Sequence, residues 1–380
     1  MIKTKEIIDA FISHGVDYYS GVPDSLLKQL NFALESDVRC KVNITVNEGA
    51  AVADAIGYNM VTNRMPAVFM QNSGLGNAVN PLTSLANKDI YGIPMLLLIG
   101  WRGEILPDKS QLKDEPQHRA MGRMTLEMLE TLEIPYLVVG PEHMDWRNGI
   151  TDLLSVASAE SKPVALVFRK GSFENTKINY NHLSHNPSRE EYIKEILKTL
   201  DDSVALVSTT GVASREVYES RENLSQKNGR DFLTVGGMGF ALQIAESVAR
   251  NGKLSKVVCI DGDGAALMHL GVLTQSAQNN KLIHILVNNG VHDSVGGQKL
   301  NLNEEFSFVE LAKTCGYRNQ FVIEQPSDCK EVLIKSMILE GSCFIEIKAR
   351  PGFRSNLGRP KSTPKENKQG FKELIVKLEK

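Results

Sequence analysis

The chain has 380 residues, 42% of them hydrophobic, enough to bury a sizeable core and, at about 150 residues per domain, to form two or three domains. Its 43 Lys+Arg against 45 Asp+Glu leave a formal net charge of -2, which gives no reason to expect the whole-body electrostatic grip that nucleic acid demands. The five cysteines (Cys40, Cys259, Cys315, Cys329, Cys343) are dispersed without a C-x-x-C pair, which argues against a disulfide framework or a zinc site. No apolar run approaches a membrane span and no signal core opens the chain, so the expectation is a soluble, cytoplasmic protein with no membrane partner.

Short apolar, β-rich runs alternate with stretches of helical period, the pattern of a parallel sheet covered by helices. In chain order, strands are predicted at 41–46, 67–70, 95–99, 136–139 and 164–168. Polar, Asn-rich sequence over 171–188 predicts a linker, after which strands are predicted at 204–207, 232–235, 256–260, 283–287 and 343–347. A basic, solvated tail then ends in a short amphipathic helix over 371–378. The fold class is therefore α/β, with two domains over 1–170 and 189–380, each a mostly parallel sheet flanked by helices.

The most informative stretch is a buried strand ending in Gly262-Asp263-Gly264-Ala265 and opening a helix. Backbone N–H groups at such a start can hold phosphate oxygens, while Asp263 can ligate a hard cation that bridges them. A dinucleotide fingerprint is excluded, because the third glycine of G-x-G-x-x-G is missing and an acidic residue stands between the first two. The next strand ends in Asn288-Asn289-Gly290, and neighbouring strand ends in a parallel sheet place Asn289 beside Asp263. A carboxylate and an amide oxygen there can supply part of an octahedral Mg²⁺ site.

These two pieces, at this spacing and in this strand context, resemble the signature of the thiamine diphosphate-dependent decarboxylases and synthases. The resemblance implies thiamine diphosphate as cofactor, with Mg²⁺ held by Asp263, Asn289 and the carbonyl of Val291, and with Gly262, Gly264 and Ala265 around the diphosphate. It also implies a glutamate that protonates the aminopyrimidine, which Glu48 matches at the start of a small-residue helix. Gly236-Gly237-Met238-Gly239 would supply a Gly236 carbonyl for the aminopyrimidine and Met238 as the apolar wedge under the cofactor, although a Met there also serves as core filler. Thr209 and Thr210 suit diphosphate, and equally suit an ordinary helix cap.

Larger members of the family carry a third domain between these two. The two-domain members act on acidic 2-oxo acids, and several stretches are similar to the branch whose substrate bears a phosphonate: Gly21-Val22-Pro23-Asp24-Ser25, Met70-Gln71-Asn72-Ser73-Gly74-Leu75-Gly76-Asn77, Lys113-Asp114-Glu115-Pro116-Gln117-His118 and Val291-His292-Asp293-Ser294. This resemblance implies a small phosphonate substrate consumed in phosphonate biosynthesis, with Ser25, Lys113 and His118 as its cations or donors and Asp24 beside them. Gln71, His292 and Asp24 would orient the keto group or move protons; for His118 and His292 the alternative is an imidazole without a role. Arg354 and Arg359 would add positive potential if the tail folds over the site. The family places each cofactor between two subunits, so a homodimer at least is expected, with active sites at the interface. The alternatives are a sulfonate or other acidic 2-oxo acid, a carboligase, and a catalytically inactive cofactor-binding subunit in which Glu48 has no task.

Overall fold

The computed structural model describes residues 1–142, 145–176, 184–226 and 229–379. The chain divides into two compact units, Met1–Tyr180 and Asn181–Lys380. Part of the expected linker, residues 177–183, lies outside the described residues.

The first unit is a parallel sheet of six strands: β1 (Tyr18–Gly21), β2 (Lys41–Ile44), β3 (Ala67–Gln71), β4 (Met95–Gly100), β5 (Tyr136–Val139) and β6 (Pro163–Phe168), in the order β2-β1-β3-β4-β6-β5. β4 and β6 are buried along their whole length, as strands covered on both faces must be. Alternate side chains feed two cores. Phe69, Leu96, Leu98 and Leu166 pack with the helices Thr4–Ser13 and Trp146–Glu160, whereas Val68, Met70, Leu97 and Ile99 pack with Glu48–Thr62. Beyond β6, Phe173 packs on Phe168 and the Ser172 hydroxyl donates to the Val139 carbonyl, so residues 171–176 are tied to this sheet.

The second unit repeats the winding. Its strands are β7 (Ala205–Ser208), β8 (Phe232–Leu233), β9 (Val257–Gly262), β10 (Leu282–Asn288), β11 (Asn319–Ile323) and β12 (Cys343–Lys348), in the order β8-β7-β9-β10-β12-β11, all parallel. Adding six to every strand number of the first sheet reproduces the second. Val258 and Ile260 face one core and Val257 and Cys259 the other. The helix Arg189–Thr199 starts at a capping box in which Ser188 and Glu191 satisfy each other's backbone N–H.

Two strands escaped the sequence reading. β1 is Tyr-Tyr-Ser-Gly, too short and polar to register as a buried run, yet it is held between β2 and β3. β11 begins with Asn-Gln and lies at the sheet edge, where one face is only half covered. The C-terminal helix is longer than expected, Pro364–Leu378, because Thr363 and Glu366 form a second capping box ahead of the amphipathic part. Among the described residues no helix is long and apolar enough to cross a membrane.

Candidate active site

Reversal of strand order opens a crevice at the carboxyl ends of the strands, the usual ligand position in open α/β sheets. In the second unit that point lies between β7 and β9, and in the first between β1 and β3.

In the second unit, Asp263 follows β9 and is buried. Its Oδ1 accepts from the N–H of Gly264 at 2.7 Å, and its Oδ2 from the N–H groups of Asn289 and Gly290 at 2.9 and 2.7 Å. Burial pushes its carboxyl up to about 6, against the pull of those N–H groups. Asn289 stands directly after β10, its Nδ2 donating to Asp293 Oδ2 at 2.7 Å and its Oδ1 accepting from Val291 N–H at 3.2 Å. The donor set fits a hard divalent cation: a buried carboxylate whose charge is uncompensated, an amide oxygen, and a carbonyl at Val291 on one short loop. Such a cation would pull Asp263 back to its ionised form.

His292 is buried, and its main-chain N–H and carbonyl are bound inside the loop by Gln298, Val295 and Gly297. Its ring lies against Gly264, has no hydrogen-bond partner at Nε2, and is pushed down to about 4 by burial, so it is a neutral imidazole at pH 7. Gly264 and Ala265 are buried in the short helix that Asp263 begins, with Gly262 as its cap. Thr209 is buried and Thr210 half-buried after β7; Thr209 N–H donates to Ile260 O at 2.8 Å, which ties that loop to β9. Gly236 and Met238 are half-buried in the turn after β8. Gly239 at φ +89° closes that turn so near the Asp263 helix that a Cβ would meet the His269 ring at 2.7 Å and Met268 at 2.9 Å.

In the first unit, Glu48 opens the helix Glu48–Thr62, capped by Asn47, whose side-chain oxygen accepts from Ala50 N–H. Glu48 is 6% exposed, and its Oε2 accepts from Asn77 Nδ2 at 2.7 Å. A Cβ on Gly74 would stand 2.5 Å from Glu48 Oε1, so only glycine leaves room for the carboxylate there. Asp24 is wholly buried; its Oδ2 accepts from the N–H groups of Leu26 and Leu27, and its Oδ1 has no hydrogen-bond partner. Burial raises its carboxyl to about 6, with Arg102 acting in the opposite direction.

Ser25 Oγ accepts from Arg102 Nη1 at 3.1 Å, and Asp114 grips the same guanidinium at 2.8 and 2.6 Å. Lys113, exposed, precedes Asp114, and His118, half-buried, lies in the first turn of the helix Pro116–Thr131. Gln71 ends β3 with its Nε2 donating to Ser73 Oγ. The structure thus gathers Asp24, Ser25 and the 113–118 loop around Arg102, and sets Glu48 against the 74–77 segment. Arg102, Asn77 and Asp293 were not singled out from sequence, although Asn77 and Asp293 stand in stretches that were. In the tail, Arg354 is engaged by Glu190 at 3.0 Å and by Glu219 at 2.5 Å.

Residues 3–121 match the family model of the thiamine pyrophosphate enzyme N-terminal TPP binding domain, and residues 208–347 that of the C-terminal TPP binding domain. Two doubly wound units with these matches define a thiamine diphosphate-dependent enzyme without a middle domain between them. The chain is 30% identical to the phosphonopyruvate decarboxylase of Streptomyces viridochromogenes, over 99% of this chain and 96% of that protein. It is 32% identical to that of Streptomyces hygroscopicus over 99% and 94%, and 24% identical to the sulfopyruvate decarboxylase of Methanosarcina acetivorans over 98% and 97%. The chain belongs to this family of decarboxylases, and it is a thiamine diphosphate-dependent decarboxylase of 2-oxo acids.

Proposed function

We propose that the protein decarboxylates 3-phosphonopyruvate to phosphonoacetaldehyde and carbon dioxide with thiamine diphosphate and Mg²⁺, as a step of phosphonate biosynthesis. The observation that carries this reading is the near end-to-end similarity to two phosphonopyruvate decarboxylases, with identities of 30% and 32%. When bound, the cofactor supplies the electron sink that no side chain can provide. The chain's own residues do the rest. Asp263, Asn289 and the Val291 carbonyl would hold the metal, with Gly262, Gly264, Ala265, Thr209 and Thr210 around the diphosphate. Glu48, kept in place by Asn77, would hold the proton for the aminopyrimidine, the Gly236 carbonyl would accept from that ring, and Met238 would be the apolar wedge under the cofactor. Arg102, Ser25, Lys113 and His118 offer donors and positive charge to the phosphonate. Asp24, Gln71 and the neutral His292 orient the keto group or move protons.

We assign pyrimidine binding to residues 1–170 and diphosphate binding to 189–380, and place the enzyme in the cytoplasm, which its unbonded cysteines support. The family resemblance supports a homodimer at least, with active sites at the subunit interface; an active monomer in light scattering would overturn that. The substrate is tested by incubating the pure protein with thiamine diphosphate, Mg²⁺ and, separately, phosphonopyruvate, sulfopyruvate and pyruvate, while trapping the aldehyde. Turnover of phosphonopyruvate well above the others is expected. Preference for sulfopyruvate would favour the second reading, which the full-length similarity to the Methanosarcina enzyme supports.

A further inference from the structure

Asp293 lies at the centre of a polar network that the reaction as described above does not use. Its Oδ2 accepts from Asn289 Nδ2 at 2.7 Å and from Arg189 Nη1 at 3.1 Å. Its Oδ1 accepts from Gly352 N–H at 2.8 Å, where the chain leaves the sheet after β12. Arg189 is itself buried and held by Glu216 at 2.7 and 3.3 Å. Three separate segments therefore converge on one carboxylate: the loop after β10, the first residue of the helix Arg189–Thr199, and the segment after β12.

We propose that Asp293 is the positioning residue of the metal site, fixing the Asn289 side chain so that its oxygen, and not its nitrogen, faces the cation beside Asp263. An asparagine amide has two chemically opposite ends of nearly equal size, and only the oxygen can ligate a metal. A carboxylate accepts and never donates, so contact with Asp293 forces the Asn289 nitrogen toward it and leaves the oxygen on the other side. Arg189 and Gly352 keep that carboxylate from turning, and Glu216 keeps Arg189 from following Asp293 alone. The arrangement is an outer shell around a metal ligand, of the kind whose loss costs roughly 10–100-fold in metal affinity.

This inference rests on Asn289 being a metal ligand, and the test separates the two. Mg²⁺ is titrated calorimetrically into metal-stripped protein in the presence of thiamine diphosphate, and thermal melts are recorded without metal. Asp293→Ala leaves Arg189 paired with Glu216, so no buried charge is stranded and the protein is expected to fold. Its Mg²⁺ dissociation constant should rise roughly 10–100-fold, and Asn289→Ala should rise at least as much. The double variant should bind no more weakly than Asn289→Ala alone, because Asp293 acts only through Asn289. Asp293→Ala binding within about twofold of the parent, or full additivity in the double variant, overturns the proposal. Unchanged binding by Asn289→Ala instead overturns the ligand assignment. Should Asp293→Ala not fold, the isosteric Asp293→Asn decides. It retains shape but weakens the charge-assisted contact, so several-fold weaker binding supports the role and unchanged binding removes it. Glu190→Gln, whose carboxylate pairs with Arg354 in the tail and with Lys194 on its own helix, should leave Mg²⁺ affinity as it was.

Discussion

Asn77 donates a 2.7 Å hydrogen bond from its side-chain nitrogen to the carboxylate of Glu48, 29 residues earlier in the chain. The contact joins the helix after β2 to the segment after β3 and gives the carboxylate one fixed orientation. If Glu48 handles the cofactor's proton, Glu48→Gln should lower kcat by roughly 10²–10⁴-fold, with thiamine diphosphate affinity far less affected. Asn77→Ala should fall between the two, since the carboxylate remains but is no longer oriented. Carbon dioxide release under saturating cofactor measures both, and a Glu48→Gln variant working at the parent rate would remove the assignment.

Gly74→Ala places a methyl group where the Glu48 carboxylate now sits, with 2.5 Å between them. The carboxylate has to turn away from Asn77. A loss of kcat exceeding that of Asn77→Ala is expected, while the melting temperature should fall by only a few degrees, the shift expected for roughly 1 kcal/mol.

The buried carboxyls of Asp24 and Asp263 both stand at about 6, against an ordinary value of 3.8. A raised carboxyl binds its proton more tightly in the folded state, so the metal-free protein should lose stability as pH rises from about 4 to about 6. Shifts of this size correspond to roughly 3 kcal/mol for each group. If Asp263 ligates the metal, Mg²⁺ reverses that preference, because it competes with the proton. Mg²⁺ affinity should therefore weaken progressively below pH 6, and Asp263→Asn should abolish both the affinity and its pH dependence. Chemical denaturation at several pH values, with and without Mg²⁺, reads both effects.

Arg221 is 1% exposed and doubly bonded to Asp231 at 2.9 and 3.0 Å, with Gln226 accepting a third bond at 2.6 Å. Arg221→Met strands the Asp231 charge in the core. A destabilisation of roughly 3–5 kcal/mol is expected, measured by denaturant unfolding, and the Arg221→Met, Asp231→Leu double variant should recover much of it.

Legibility from sequence followed the range of the interactions. The alternation of apolar runs and helical stretches revealed ten of the strands, because burial on both faces of a parallel sheet writes itself into each run separately. β1 was hidden because its place between β2 and β3, rather than its own Tyr-Tyr-Ser-Gly, makes it a strand. Asp263 and Asn289 stood out because each directly follows its own strand, so local sequence suffices to set them side by side. Arg102, Asn77 and Asp293 did not, since their partners lie at Ser25 and Asp114, at Glu48, and at Arg189 and Gly352. Apart from Arg102–Asp114, which lies within one connection, each pairing depends on how loops from distant strands come to rest, and no spacing rule encodes that.

The common winding of the two sheets makes their strand ends comparable station by station. After the first strand stand Asp24 and Ser25 in one unit and Thr209 and Thr210 in the other; after the second, Glu48 and Gly236; after the fourth, Arg102 and Asn289. At that last station one unit offers a permanent guanidinium cation and the other an amide suited to receiving a cation from solution. If Asn289 ligates the metal, the same scaffold obtains its positive charge by two routes, one covalent and one exchangeable, and only the second can be withdrawn by a chelator.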